Sequence, residues 1–203
     1  MLRSPVGALG VAIVVVHLLL ALAAPVIAPY NVLEQSSTAR LQGPSPAHLF
    51  GTDRLGRDVL SRTIAGGRVA LAITLAGAAL AIAWGSAAGL ILGLTGGKLD
   101  EGIMRIVDAL LAIPWILFLL LIIAIMGSAP LTLVVILAFF YGLPVIRIVR
   151  GATLDIVARD YVTAAQVRGE SRASILRREL LPNTLDIILV EGAMQWSWML
   201  LGF

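Results

Sequence analysis

Long apolar runs alternate with shorter polar segments along the whole chain of 203 residues. An α-helix rises about 1.5 Å per residue, so about 20 apolar residues cross the hydrocarbon core of a bilayer. Five runs approach this length, and each predicts a membrane-spanning helix. Their approximate ranges are 7–27, 69–94, 107–126, 131–148 and 185–203. The pattern therefore predicts an all-α protein, a polytopic bundle of transmembrane helices.

The last of these runs is the least apolar. Asp186 and Glu191 lie inside it, and an acidic residue near the bilayer centre costs on the order of 2.5–3.5 kcal/mol. We therefore expect the fifth span to be the weakest and to need a protein partner. Intramembrane acids also couple ions in secondary transporters and channels, so this alternative class of function would use the same two residues.

The third predicted span begins with charges and contains a proline. Arg105 and Asp108 stand three residues apart, a spacing at which two side chains can pair on one helical face. Pro114 follows about one and a half turns later. Because proline removes a backbone donor, we expect a bend there.

Small residues recur at every fourth position of the second span. They are Gly77, Ala81, Gly85, Gly89 and Gly93. Lipid tails provide no hydrophobic drive between helices, so transmembrane helices associate through close packing at small residues. The repeat predicts a ridge that another helix approaches closely. The alternative is the general tolerance of glycine in transmembrane helices, and a non-transporting assembly protein could dimerise through the same ridge.

A polar segment at residues 30–68 separates the first two spans. In its second half, Asp58 to Ala65, the apolar residues fall on one helical face, and arginines flank them. This arrangement predicts a separate short helix that lies at the membrane interface.

Composition supports a membrane protein: 59% of the residues are hydrophobic, and only 13% are charged. A soluble domain usually has about a quarter of its residues charged. The pI of about 9.9 does not indicate nucleic acid, because nearly all the basic residues lie between apolar runs, as they do in membrane loops. We therefore expect lipid, and no nucleic acid, around this chain.

The basic residues also predict an orientation. With the amino terminus in the cytoplasm, the inner loops hold ten of them: Arg3, Lys98, Arg105 and seven arginines from Arg147 to Arg178. The outer loop holds five arginines, from Arg40 to Arg68. This excess favours a cytoplasmic amino terminus and places residues 150–183 inside the cell.

No motif for catalysis is present. Gly96-Gly97-Lys98 lacks the first glycine and the Ser or Thr of a nucleotide-binding loop, because Leu92 and Leu99 occupy those positions. The chain has no cysteine and two distant histidines, which excludes a metal site recognisable by spacing. We expect no enzymatic activity, no metal and no cofactor of its own, so any energy must come from a partner.

The inner segment predicts a helix, a break and a second helix. Asp160 is a candidate cap for the first helix and Ser171 for the second, and Gly169 provides the break. Ala164 and Ala165 offer a flat patch beside Gly169, where a second protein could approach the backbone.

The second helix of this segment is amphipathic. Ile175, Leu176 and Leu180 form an apolar stripe, and Arg177 and Arg178 lie opposite. On these residues alone, an amphipathic surface hairpin is an alternative to a docking element.

The same segment resembles the "EAA" loop of ABC importer permeases, whose pattern is E-A-A, three residues, G, nine residues, a hydrophobic residue, one residue, L-P. Ala164, Ala165, Gly169, Leu181 and Pro182 match at the required spacing. Thr163 stands in place of the glutamate and Glu179 in place of the hydrophobic residue. The resemblance implies that residues 164–169, with Arg168 among them, form a coupling helix seated in a groove of an ATPase subunit.

A second motif resembles the "GTDxxGRDxxSR" signature of C-type permeases for dipeptides, oligopeptides and nickel. The matching residues are Gly51, Thr52, Asp53, Gly56, Arg57, Asp58, Ser61 and Arg62. Arg105, Asp108 and Pro114 match the R-x-x-D…P pattern at the third span of that family. A capped interfacial helix is a compatible physical role for the first motif.

The resemblance implies a type I importer topology in the bacterial inner membrane, lacking the last helix or helices. A homologous B-type permease would complete the pathway, two ATPase subunits would bind ATP and magnesium, and an extracytoplasmic binding protein would deliver substrate. ATP-driven motion would produce alternating access. Dipeptides, longer peptides, nickel chelates and opines all remain open as substrates.

Family members continue through an E-x-x-L-S-F-L-G-L-G stretch and a sixth span, whereas this sequence stops at Phe203. Five spans would leave the carboxyl terminus outside the cell. We expect a fragment rather than a shortened subunit that a partner completes, and a truncated subunit without function is the alternative.

Overall fold

The computed structural model describes residues 4–203, so Arg3 of the orientation argument lies outside the described residues. Helices dominate, and the described part contains an isolated bridge between Thr52 and Asp58 but no strand. The predicted all-α class is confirmed. The helices are α1 Pro5–Ile27, α2 Val59–Thr95, α3 Gly97–Leu111, α4 Trp115–Met126, α5 Pro130–Val157, α6 Asp160–Val167, α7 Arg172–Ile175 and α8 Leu181–Gly202. A π-helical turn, Leu176–Leu180, joins α7 to α8.

Three described helices, α1, α2 and α5, are long and apolar enough to cross a membrane. The pair α3 and α4 makes a fourth if the two count as one broken span. The fifth predicted span corresponds to α8, which is long enough at 22 residues but falls outside that set. Asp186, Glu191 and Gln195 lower its hydropathy, so its membrane insertion stays a prediction.

The third span is more broken than the sequence predicts. α3 ends at Leu111, α4 begins at Trp115, and the two helices bend by 82° around Pro114. Proline has no N–H to continue the helical bonding, which explains a break at this position. α4 has 12 residues and is about 18 Å long, too short to cross a bilayer alone.

The predicted interfacial helix is not a separate element. Residues 59–65 are the first turns of α2, which runs from Val59 to Thr95 without interruption. No proline lies in this range, and Gly66 and Gly67 keep the helical conformation. Two glycines cost helix propensity, but they do not force a break.

The chain divides into two compact units, residues 1–72 and residues 73–203. In the first unit, Ser4 caps α1 by accepting a hydrogen bond from the N–H of Gly7 at 3.1 Å. Most of the large apolar side chains of α1 are exposed, and only Ala21 and Ala24 are buried. A helix this apolar with so little protein cover is suited to lipid.

α5 contributes ten buried residues to the core of the second unit. One cluster joins Leu90 of α2, Val145 and Val149 of α5, and Ile188 of α8. Val162, Ala165, Ile175 and Leu180 of the hairpin belong to the same cluster. The hairpin is therefore continuous with the core of the helix bundle.

Candidate functional site

The small residues of α2 face α5. A β-carbon added at Gly85 would lie 2.7 Å from the Gly142 carbonyl oxygen, and one at Gly89 would lie 2.8 Å from that of Ile146. At Gly93 it would lie 2.6 Å from Cβ of Thr153. Real β-carbons do not come this close to other atoms, so the two backbones can approach only because side chains are missing.

The other two members of the ridge are also enclosed. Ala81 is fully buried, and a β-carbon at Gly77 would lie 3.0 Å from the sulfur of Met199 and 3.3 Å from Cβ of Leu137. The ridge is thus occupied within this chain by α5 and α8.

Ion pairs tie α3 to α5, in a pattern that the sequence reasoning did not predict. Asp108 pairs with Arg147 of α5 at 3.3 Å, and not with Arg105 as expected. A second pair is bidentate: Nε and Nη2 of Arg150 donate to the two carboxylate oxygens of Asp100, both at 2.5 Å. Asp100 is only 3% exposed.

The two pairs differ in energy. Asp108 and Arg147 are both more than half exposed, and such a pair contributes about 0–1 kcal/mol. Asp100 is buried and Arg150 is about a quarter exposed. Removing Arg150 would leave a buried carboxylate without its partner, which costs more than the loss of the exposed pair. One sequence feature could have indicated these ion pairs: α3 carries two aspartates eight residues apart, and α5 carries two arginines three residues apart.

The hairpin turns at Gly169, whose φ is +79°. The N–H of Gly169 donates to the carbonyl of Gln166 at 2.9 Å, and that of Glu170 donates to the carbonyl of Ala165 at 3.1 Å. This pair of bonds is the Schellman motif, which needs a left-handed residue at the position of Gly169. The predicted break is confirmed, with its physical cause.

Only one of the two predicted caps is confirmed. Oγ of Ser171 accepts a hydrogen bond from the N–H of Ser174 at 3.2 Å and caps α7. Asp160 is not a cap, because Arg159 holds the extended capping position and Asp160 lies in the first turn of α6. Its carboxylate is favourable there through the helix dipole.

The flat patch predicted at Ala164 and Ala165 is wrong for one of the two residues. Ala164 is exposed, but Ala165 is completely buried in the cluster with α2, α5 and α8. A helix turns by 100° per residue, so two adjacent alanines cannot share one face. Four of the exposed residues of α6 and its C-cap form what we call the coupling face: Thr163, Ala164, Val167 and Arg168. Asp160, Tyr161 and Gln166 are also exposed.

Val167 is the member of this face that the sequence reasoning missed. Its side chain is 84% exposed, compared with 42% for Tyr161 at the start of the same helix. Its spacing could have identified it, because a residue three positions after Ala164 lies on the same helical face, close to the turn at Gly169. The predicted stripe of the second helix is present: Ile175 and Leu180 are buried, whereas Arg177 and Arg178 are exposed.

A small polar network lies beside the turn. Nη2 of Arg168 donates to Oε1 of Glu170 at 2.8 Å, and the hydroxyl of Ser174 donates to Oε2 at 2.9 Å. The Arg168 guanidinium, and then the Ser174 hydroxyl, lower the pKa of Glu170. Arg168 is thus drawn toward the turn, at the edge of the coupling face.

The Leu181-Pro182 pair lies where the π-helical turn passes into α8. Proline cannot donate to the carbonyl four residues earlier and its ring crowds that carbonyl, and a widened turn relieves the crowding. Side chains then bond neighbouring carbonyls: Nδ2 of Asn183 donates to Glu179 at 2.6 Å, and Oγ1 of Thr184 donates to Leu180 at 2.9 Å. The turn leaves Leu180 buried and Pro182 exposed.

The signature motif at residues 51–62 lies in the first unit and is organised around two aspartates. Oδ1 of Asp53 accepts from the N–H groups of Leu55 and Arg57 at 2.8 and 3.0 Å, and Oδ2 accepts from Nε of Arg57 at 2.8 Å. Burial favours a higher pKa for Asp53, but the bonds from Arg57 and Leu55 outweigh it and lower the pKa. Arg62 lies 3.7 Å from the same carboxylate.

Asp58 precedes α2 and holds three partners. Oδ2 accepts from the N–H and the hydroxyl of Ser61 at 2.8 and 2.7 Å, and Oδ1 lies 2.9 Å from Nδ1 of His48. Desolvation favours a higher pKa for Asp58, but Ser61 and then His48 outweigh it and lower the pKa. Oγ of Ser61 in turn accepts from the N–H of Tyr30 at 3.0 Å.

The two glycines of the motif meet backbone atoms. Gly51 and Gly56 have φ values of +72° and +73°, a region that favours glycine. A β-carbon at Gly51 would overlap the carbonyl of Gln42, and one at Gly56 would overlap that of Ser36. The hydroxyl of Thr52 donates to the carbonyl of Ala39. The motif therefore builds the loop, and its side chains turn toward one another.

Metal ligands are not gathered in the part of the chain that the structure describes: residues 4–203 contain no group of three His, Cys, Asp or Glu side chains that could hold an ion.

Comparison with known proteins identifies the family. Residues 85–203 match the family model of binding-protein-dependent transport system inner membrane components, and residues 1–44 match the N-terminal TM domain of oligopeptide transport permease C. The chain belongs to this family of inner membrane transport components. The matched region includes the whole hairpin and the ridge from Gly85 onward.

Curated relatives are peptide permeases. The chain is 34% identical to the dipeptide transport system permease protein DppC of Bacillus subtilis over 189 residues, which are 93% of this chain and 59% of that protein. It is 36% identical to DppC of Haemophilus influenzae over 199 residues, 93% of this chain and 66% of that protein. The oligopeptide permease protein OppC of Bacillus subtilis is 34% identical over 181 residues. The chain thus spans about 59% of the length of the first and third of these relatives.

Proposed function

We propose that this chain is a transmembrane permease subunit of an ATP-driven importer of dipeptides or oligopeptides, and that its hairpin receives the motion of an ATPase subunit. The observation that carries the proposal is the two-sided character of α6. Ala165 and Val162 are fully buried against the bundle, whereas Val167 on the opposite side is 84% exposed.

The buried side of α6 supports the transmission of force. Val162 and Ala165 pack in one cluster with Leu90, Val149 and Ile188, which belong to α2, α5 and α8. Protein interiors are close-packed and transmit displacements rather than absorbing them. A push on the hairpin would therefore shift the ends of three helices together.

The exposed side of α6 supports docking. An exposed valine next to an exposed alanine and a glycine leaves an apolar surface with little side-chain bulk, which a groove on another protein can cover closely. Arg177 and Arg178 lie exposed on the neighbouring helix and favour a partner with acidic residues at its rim. A partner that binds ATP can shift the transporter only through such a differential contact.

The names of the relatives support a peptide as the substrate, and their family description supports a binding protein as a further partner. A homologous permease, two ATPase subunits and an extracytoplasmic binding protein would complete the importer in the bacterial inner membrane. ATP and magnesium would bind to the ATPase subunits, and this chain would provide transport without catalysis.

The coupling contact is tested with Val167→Asp in cells that contain the whole importer. We expect peptide uptake and co-purification of the ATPase each to fall by about tenfold or more, because a charge would be desolvated at the contact. The matched control is Leu99→Asp in the first turn of α3, where an exposed leucine is replaced and an acid is favourable. Normal uptake with normal co-purification in Val167→Asp would refute the coupling role.

The orientation is tested by cysteine labelling, since the natural chain has no cysteine. We expect Val167→Cys to react with a membrane-impermeant maleimide only in inside-out vesicles from which the ATPase subunits have been stripped, because those subunits would cover it. Leu49→Cys, an exposed position of the polar loop, should react in intact cells after the outer layers are removed. Labelling of both positions from the same side would contradict the proposed topology.

A further inference from the structure

We propose that a cavity at the break between α3 and α4 is a subsite for one residue of the transported peptide, and that it holds an uncharged side chain and the adjacent peptide group. This inference rests on the proposed function. The cavity has a volume of about 460 Å³, within the range of about 300–1,000 Å³ that is usual for small-molecule sites. Its walls include Pro114, Trp115, Tyr141, Pro144, Gln195 and Trp198.

The backbone at this cavity is irregular, which is unusual inside an apolar bundle. Helical bonding stops between Leu111 and Trp115, and the two helices diverge by 82°. At membrane depth, non-helical backbone is tolerated where it is buried in protein or lines a polar cavity. Discontinuous helices also build substrate sites in secondary transporters, which shows that a broken helix at membrane depth can bind a solute.

The first N–H of α4 contributes a hydrogen-bond donor. Pro114 precedes this helix, and the N–H of Trp115 has no acceptor among the described residues. The positive end of the helix dipole adds to the attraction for a carbonyl or carboxylate oxygen. Trp115 itself lines the cavity.

Gln195 is a second, independent sign of a ligand. It lines the cavity from α8 and is only 8% exposed. Nε2 donates to Glu191 at 2.5 Å, but Oε1 accepts no hydrogen bond in the part of the chain that the structure describes. Oε1 is not fully enclosed by protein atoms, so a peptide N–H in the cavity can reach it and donate to it.

The remaining walls select the side chain. The ring centroids of Trp115 and Tyr141 lie 5.9 Å apart, and the ring planes are inclined at 61°. Phe140 and Trp198 provide further aromatic walls. None of the described residues that line the cavity is charged. A charged side chain would lose much of its hydration here, and the lining residues offer no opposite charge, whereas an aromatic or aliphatic side chain would gain contact area.

The subsite thus matches a peptide bond with an apolar side chain: a donor, an acceptor and aromatic walls. Trp198 is 58% exposed, so its replacement should disturb the fold little. Gln195 is the residue that would accept a hydrogen bond from the peptide backbone.

The test is ATP-driven uptake of labelled Ala-Phe and Ala-Ala by cells that contain the whole importer. We expect Trp198→Ala to raise KM for Ala-Phe by about tenfold, since it removes one apolar wall, and to change KM for Ala-Ala by less than about twofold. Gln195→Leu should raise KM for both peptides by about tenfold, because both lose the same acceptor. Met194→Ala is the control on α8, an exposed position outside the cavity.

Each result decides the inference. Equal changes of KM for both peptides in Trp198→Ala, or no change for either, would overturn it. Immunoblots of the membrane fraction show whether each variant is present, and if Gln195→Leu is absent, the exposed Trp198→Ala decides alone. Absence of any peptide uptake by the unaltered importer would instead overturn the proposed function, and the subsite with it.

Discussion

The signature loop of the first unit and the hairpin of the second unit use their characteristic residues in opposite ways. In the loop, Asp53, Asp58, Ser61 and Arg57 bond to one another or to nearby backbone. In the hairpin, Gly169 makes the turn, but Ala164, Val167 and Arg168 remain exposed. A motif whose members satisfy one another builds structure, whereas a motif that leaves an apolar face open offers a surface to a partner.

The comparison predicts that changes in the loop reduce the amount of folded protein, whereas changes at the hairpin reduce transport by protein that is still folded. The tests below follow from it in order of decreasing expected effect.

Gly56→Ala should have the largest effect. Its φ of +73° and the overlap with the Ser36 carbonyl both oppose a side chain, and we expect a loss of about 3 kcal/mol or more in stability. The measurement is trypsin cleavage within the loop of the assembled protein. Gly43→Ala is the control, because a β-carbon there meets nothing within 4 Å. Equal cleavage of the two variants would contradict a structural role for the motif.

Gly169→Asp should abolish most transport while the protein stays in the membrane at its normal amount. The new side chain has open space, since no atom lies within 4 Å of its β-carbon, but it adds charge beside the coupling face. Gly169→Asn has the same shape without the charge and tolerates the left-handed conformation, so it should keep most of the uptake. We expect at least a tenfold difference in uptake between the two variants. Similar uptake by both would show that charge at this face is harmless.

Acid should loosen the loop. Asp53 and Asp58 have folded pKa values below their ordinary value of 3.8. Their contribution to stability is therefore present above that value and is lost as the pH falls through the lower folded values. Pepsin cleavage of the loop should rise below about pH 4. The Asp58→Asn variant lacks one of these carboxylates and should show a smaller rise; an identical pH profile would exclude Asp58 as the cause.

Glu170→Gln should have the smallest effect. The Arg168 guanidinium lowers the pKa of Glu170, but the carboxylate is close to solvent and the turn is held by backbone bonds from Gly169 and Glu170. We expect protease cleavage at the hairpin and peptide uptake to stay near those of the natural chain. A large loss of uptake would show that this polar network, and not the backbone motif, sets the coupling face.

Several features could be predicted because they depend on residues close together in the chain. The Schellman turn needs only Gly169 and its immediate neighbours, and the cap of α7 needs only Ser171 and Ser174. The four-residue repeat of small side chains marked the face of α2 that α5 occupies. The hairpin pattern also indicated the family, because it consists of residue types at fixed spacings, which can be read from the sequence alone.

Other predictions failed because a local sequence pattern does not specify which distant residue a side chain will contact. Either Arg105 or Arg147 has the charge to pair with Asp108. The packing of α3 on α5 brings Arg147 to it, and not Arg105. The pair of Asp100 and Arg150 joins residues 50 apart, and no local rule connects them. Pro114 indicated a bend, but the angle of 82° depends on what packs around each half-helix.

The sequence by itself determined the helical class, the suitability of the long apolar helices for a lipid environment, and the position of the hairpin turn. Hydrophobic periodicity and turn chemistry act over a few residues, so they are readable in one dimension. Only the tertiary structure decided that Ala165 faces inward and Val167 outward, that the loop aspartates face one another, and that a cavity opens beside Pro114. These outcomes depend on which distant side chains fill the remaining space, and close packing allows few such solutions.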